Sequence, residues 1–98
     1  MSRIPISKID DFLLGSAIEI IATFNIENPT VTITIEDNYD TTRIDDVAMT
    51  KLSSTAYKYI FQSDEDWIEG DYIITIKATD GTYTTYTQYF ITLWEMES

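Results

Sequence analysis

The residues best suited to chemistry in this chain are its acids, which come in runs: Asp10-Asp11, Asp45-Asp46 and Asp64-Glu65-Asp66. Clustered carboxylates serve two kinds of chemistry. One is calcium binding, where roughly six to eight oxygens surround the ion and a loop folds its backbone around it. The stretch Asp37-Asn38-Tyr39-Asp40, running on to Asp45-Asp46, offers oxygens but lacks the regular spacing and the glycine of an EF-hand loop. The loop with Asp64 and Asp66, followed by Glu69 and Asp71, is the better calcium candidate, as a site between two sheets at one end of a sandwich. The plainer reading, favoured here, is that these are solvated loop acids that terminate strands, since clustering alone supplies no coordination number. The second chemistry is glycoside hydrolysis, which needs two carboxylates at a set separation in a cleft, one with a raised pKa. With 17 acidic residues in 98, pairs arise by chance, and a domain of this size has little room for a cleft. Serine and threonine are plentiful, but the chain has no histidine and no cysteine. The usual base for a hydroxyl nucleophile is therefore missing, as are the commonest zinc ligands. The sequence reads as non-enzymatic, with no cofactor.

The aromatics carry a different message. Tyr83, Tyr86 and Tyr89 recur at three-residue spacing, and Trp94 follows. On a strand that spacing cannot put all three tyrosines on one face, so at least one is expected to face solvent. Exposed Tyr and Trp favour protein interfaces and sugar stacking. The alternative is that they flank the core or pack across neighbouring strands.

Charge narrows the partners. With 17 acidic and 6 basic residues the formal net charge is -11. Phosphate contacts need clustered Lys and Arg, so no nucleic-acid partner is expected, and an anionic membrane surface would repel the chain. Met1 to Ile6 lacks the apolar core and cleavage site of a signal peptide, and no apolar run reaches the length of a membrane helix. The chain is expected to be a complete small product made in a cytoplasm. It is read as one domain over residues 1–98, with 1–16 forming an N-terminal arm plus a first strand.

The elements that must position these residues are strands. Period-two alternation rich in Ile, Val, Thr, Tyr and Phe dominates. Residues 18–26 place Ile18, Ile20, Ala22, Phe24 and Ile26 on one face before Asn28-Pro29 breaks the run. Residues 30–36 put Val31, Ile33 and Ile35 inward with threonines outward. Around Ile44, Val47, Met49 and Leu52 the alternation fails, which predicts a short, bulged edge strand. Residues 55–62 show Tyr57, Tyr59 and Phe61 on one face, and Trp67-Ile68 reads as an apolar plug under the loop before them. Tyr72, Ile74, Ile76 and Ala78 form the next inward face, and Asp80-Gly81 is a strong hairpin turn. The last strand, from about Thr82 to Trp94, is ambiguous: Tyr89, Ile91 and Leu93 compete with Tyr86, Phe90 and Trp94 for the inward face. Arg3 to Ser7, with Phe12-Leu13-Leu14 as a second piece, reads as the first strand. About seven short strands joined by short turns predict an all-β, antiparallel sandwich, because parallel pairing needs long crossovers.

Residues 69–81, Glu-Gly-Asp-Tyr-Ile-Ile-Thr-Ile-Lys-Ala-Thr-Asp-Gly, resemble the penultimate-strand motif of immunoglobulin-like domains. The resemblance places Tyr72 as the tyrosine that hydrogen-bonds back across the corner. It places Ile74 where disulfide-bonded members carry their second cysteine, as in bacterial and bacteriophage modules that use aliphatic packing instead. It implies a structural or interaction module, first of all a virion component: a capsid decoration protein, or part of a head fibre or tail, with other protein subunits as partners. The long last strand would pair with or pack on a neighbour. A carbohydrate-binding or adhesive module at an extracellular surface, and a calcium-stabilised spacer, are the alternatives.

Overall fold

The computed structural model describes residues 7–96, and these form eight strands in two packed sheets. They are β1 (Ser7–Leu13), β2 (Ala17–Thr23), β3 (Thr30–Asp37), β4 (Thr42–Ala48), β5 (Thr50–Lys51), β6 (Ala56–Gln62), β7 (Gly70–Thr79) and β8 (Thr84–Trp94). A five-stranded sheet runs β1-β8-β7-β3-β4 and a three-stranded sheet runs β2-β6-β5. In chain order the strands cross between the sheets four times, after β1, β2, β4 and β6. The expected strand from Arg3 begins outside the described residues, and β1 takes up the Phe12-Leu13 piece. Among the described residues no helix is long and apolar enough to cross a membrane.

Alternation puts the expected residues inside. Ile18, Ile20 and Ala22 of β2, Val31, Ile33 and Ile35 of β3, and Tyr72, Ile74, Ile76 and Ala78 of β7 are all buried. Seven isoleucines are essentially inaccessible. Full burial of each is worth about 1.5–3 kcal/mol, so two or three match the roughly 2–5 kcal/mol that a disulfide supplies to a small domain. β2 stops at Thr23, short of the predicted Ile26, but Phe24 and Ile26 still pack on the core. The irregular stretch after residue 42 is where the chain changes sheets. β4 pairs with β3 through two register shifts, Met49 is buried at the crossing, and β5 pairs with β6.

Two expectations are corrected. The sandwich is not wholly antiparallel, because β1 pairs with β8 in parallel. The crossover argument limits strands close in sequence, whereas these two are joined by the rest of the domain. Of the Trp67-Ile68 plug only Trp67 packs on the core, and Ile68 is exposed.

A polar and aromatic cap closes one end of the core. Alternation along β3 carries Asp37 to the inward side, opposite Tyr72 in the β3–β7 register, and leaves it 3% exposed. Its Oδ1 accepts the backbone N–H of Tyr39 (2.8 Å) and Thr41 (3.0 Å), and its Oδ2 accepts Arg43 Nη2 (3.1 Å). The Arg43 guanidinium lies 4.8 Å over the Trp67 ring, which in turn stacks on Tyr72 and touches Phe61. Burial pushes the Asp37 carboxyl up, but the two N–H donors and Arg43 outweigh it, and the group is held below the usual carboxylate value.

Candidate functional site

The last strand decides which aromatics are available. Ile91 and Leu93 are fully buried and Tyr89 packs half-buried against the core, so the odd-numbered residues of β8 face inward. Tyr72 opposite Ile91 and Ile74 opposite Tyr89 continue the same inner rows across the sheet. Tyr86, Phe90 and Trp94 therefore lie on the outer face, spaced about 13 Å apart at four residues of strand each. Tyr86 is 64% and Trp94 47% exposed. Tyr83, also exposed, stands at the hairpin tip beside Asp80 and Gly81 rather than on the sheet.

Neighbouring strands brace Phe90 and Trp94. Lys8 on β1 sits over the Phe90 ring at 6.0 Å and pairs with Asp11 at 2.7 Å. Asp11 in turn accepts Trp94 Nε1 at 3.2 Å, so Trp94 is tied to β1. Hydrogen bonds from Lys8 first and Trp94 second lower the pKa of Asp11. On the other side, Gln88 Nε2 donates to Thr75 and Thr92 Oγ1 donates to Asp71 Oδ1. Register puts Leu13 beside Trp94 and Ile73 beside Phe90, which widens the apolar strip. The hairpin between β7 and β8 is held by Asp80, whose Oδ1 accepts the N–H of both Thr82 and Tyr83 at 2.8 Å. Those two bonds lower its pKa, Tyr83's first, and only Gly81 in the turn takes a positive φ.

The expectation that β8 would pair with a neighbour changes here. β7 flanks its whole length and β1 flanks Tyr89 to Trp94, so over that stretch a partner can only pack on the outer face. At the penultimate strand, Tyr72 Oη donates to the Ile68 carbonyl at 2.6 Å, across the corner into β7. Ile74 is fully buried.

Three of the four candidate calcium acids, Asp64, Glu69 and Asp71, are engaged with separate partners. Asp64 Oδ1 accepts Asp66 N–H, Glu69 Oε2 accepts Glu95 N–H, and Asp71 accepts Thr92 Oγ1. Among the described residues no three acids are gathered as a metal site would require. A recess of about 260 Å³ at this end is lined by Leu14, Glu65, Asp66, Glu95 and Met96. Sequence reading grouped Phe90 with Tyr86 and Trp94 but did not count it among the interface aromatics, where the structure puts it in place of the inward-facing Tyr89. It also missed that the phase of Val31, Ile33 and Ile35, extended two residues, places Asp37 inside.

No protein-family model matches the chain, and no curated protein matches it. Solved structures match in shape. CopC from Methylosinus trichosporium OB3b superposes with a TM-score of 0.63 at 12% identity, over 91% of this chain and 87% of CopC. A family 123 glycoside hydrolase from Clostridium perfringens, solved to describe glycolipid glycan hydrolysis, matches with a TM-score of 0.57 at 7% identity. This chain is covered over 96% of its length there but spans only 24% of the hydrolase. At such identities the likeness is one of fold, the β-sandwich.

Proposed function

We propose that the chain is a non-catalytic interaction module that binds another protein subunit through the outer face of its five-stranded sheet. The observation that carries this is the row Tyr86–Phe90–Trp94 on one sheet face, with Phe90 and Trp94 braced from β1. Large, rigid aromatics held by neighbours are the residues that dominate interface energies, and holding them in place beforehand lowers the entropy cost of docking. The setting proposed is a bacteriophage virion, as capsid decoration, head fibre or tail component; its support is the resemblance of residues 69–81 to immunoglobulin-like modules, an analogy of fold.

The test is co-sedimentation of the purified protein with particles assembled without it. Wild type should bind to a fixed stoichiometry. Tyr86→Ala and Trp94→Ala should each weaken binding roughly thirtyfold, the effect of losing about 2 kcal/mol at an interface centre. Failure of the wild type to bind, or binding by both variants as tight as that of the wild type, overturns the proposal. The exposed Tyr and Trp also suit a sugar platform. A glycan array bound by wild type and lost in the same two variants would transfer the row to carbohydrate recognition.

A further inference from the structure

The two sheets end in strands with very different edges. Uncovered edges invite pairing with another chain, and proteins blunt them with bulges, charges or brevity. β1 has a register shift between Lys8 and Asp11 and carries Lys8, Asp10 and Asp11. β4 has two register shifts and carries Arg43, Asp45 and Asp46. β5 is two residues long and ends in Lys51. The stretch of β8 ahead of Tyr89 is short and polar, Thr-Thr-Tyr-Thr-Gln.

β2 is the longest exception, beside the four residues of β6 that β5 leaves unpaired, Tyr59 to Gln62. Its seven residues, Ala-Ile-Glu-Ile-Ile-Ala-Thr, pair with β6 without a single register shift, and among the described residues no strand lies along its other edge. It has no proline and one charge, Glu19. On the outer face of β2 and β6, Glu19 is accompanied by one base, Lys58, and by the exposed Ile21 and Ile60. In a chain with a net charge of -11 this face is neutral and partly apolar.

We propose that β2 is a self-pairing edge, at which two copies of this chain join antiparallel about a two-fold axis to make one six-stranded sheet. The argument stands apart from the aromatic row, which lies on the other sheet. A two-fold of this kind keeps both inner faces on one side, so a residue must pair with one of the same parity. The register that pairs all seven residues is centred on Ile20. It sets Ile20 against Ile20 of the second copy, continues the buried row Ile18, Ile20, Ala22 across the junction, and places Glu19 opposite Ile21 rather than opposite another acid. The strand is thus complementary to itself in shape, hydropathy and charge.

Light scattering coupled to size exclusion tests this on the full chain, in moderate salt that screens the charge each copy carries. The expected result is a concentration-dependent species of twice the 11.3 kDa chain mass. Two variants at the exposed residue 21 then report the register. Ile21→Glu sets an acid against Glu19 of the opposite copy at two symmetry-related places and should weaken the dimer, whereas Ile21→Lys sets a base there and should preserve or tighten it. The two should differ from about twofold to about thirtyfold in dissociation constant, from two cross-strand charge pairs. Melting midpoints confirm that both variants fold. A wild type that stays monomeric up to about 1 mM, a concentration at which even weak pairing shows, overturns the proposal. So does a dimer that ignores both variants or loses equally with each.

Discussion

Replacing Asp37 tests whether the buried cap at the end of the core is held by charge. In Asp37→Ala the N–H groups of Tyr39 and Thr41 and the Nη2 of Arg43 all lose an acceptor. Breaking a buried ion pair by removing one partner costs about 3–5 kcal/mol. The Arg43 side chain keeps 24% of its surface exposed and can turn toward water, which draws the cost to the low end, about 3 kcal/mol. For a domain of this size that lowers the melting midpoint by roughly 12–24 °C. Asp37→Asn keeps an oxygen for the two N–H groups but loses the charge and turns an amide donor toward Arg43. Its cost is about 1.5 kcal/mol, the low end for a hydrogen bond to a charged group.

Acid separates this account from one based on packing alone. The folded pKa of Asp37 lies below its ordinary value of 3.8. A carboxyl with a depressed folded pKa contributes its full stability above the unfolded pKa, about 3.9, and loses it as pH falls through the folded value. Protonated Asp37 beside Arg43 then resembles the asparagine variant. Urea unfolding of wild type and Asp37→Asn should therefore show a gap at pH 7 that narrows once pH falls below the ordinary carboxylate range and through the folded value. Asp11 and Asp80, whose pKa values are lowered too, are common to both proteins and cancel. A gap that holds its size or widens in acid refutes the charge argument.

Two further outcomes follow from single contacts. Tyr72→Phe removes the 2.6 Å bond to the Ile68 carbonyl and should cost about 1 kcal/mol, seen as a midpoint lower by roughly 4–8 °C; an unchanged midpoint means that this bond does not hold the corner. Because Asp64, Glu69 and Asp71 are engaged with separate partners, millimolar calcium against a chelator should leave the midpoint in place. A midpoint that rises with calcium concentration would restore the spacer reading.

How far the sequence was legible depends on whether a strand separates its residue types. β3 does: Val31, Ile33 and Ile35 alternate with threonines, so one face is apolar, the other polar, and the register follows. β8 does not, because aromatics occur at both parities. Its orientation was settled only by what the neighbouring strands accept, Ile91 and Leu93 completing the inner rows of β7. Tyr86, Phe90 and Trp94 then face outward, and Trp94 is tied down by Asp11, 83 residues away in the chain. No local pattern reveals a brace of that length. Asp37 shows the opposite failure. Its phase on β3 was readable, but an acid beside Asn38 and Asp40 reads as a solvated turn, and only its three donors make its burial tolerable. The parallel pairing of β1 with β8 was likewise hidden, since it joins opposite ends of the chain.

The two proposed surfaces lie on different sheets, and in the proposed dimer they would cooperate. A two-fold perpendicular to the three-stranded sheet leaves both five-stranded sheets on the same side of the joined sheet, so both aromatic rows point the same way. A dimer of this form would meet a repetitive partner with two equivalent faces at once. Linking two sites in this manner raises avidity without adding a contact, provided the partner's spacing allows both to engage. The neutral edge of β2 and the aromatic row on β8 would then be parts of one arrangement: the first sets the number and direction of the faces, and the second sets what they bind. The bulges and charges of β1 and β4 keep the five-stranded sheet from extending sideways, which would continue the assembly past two copies.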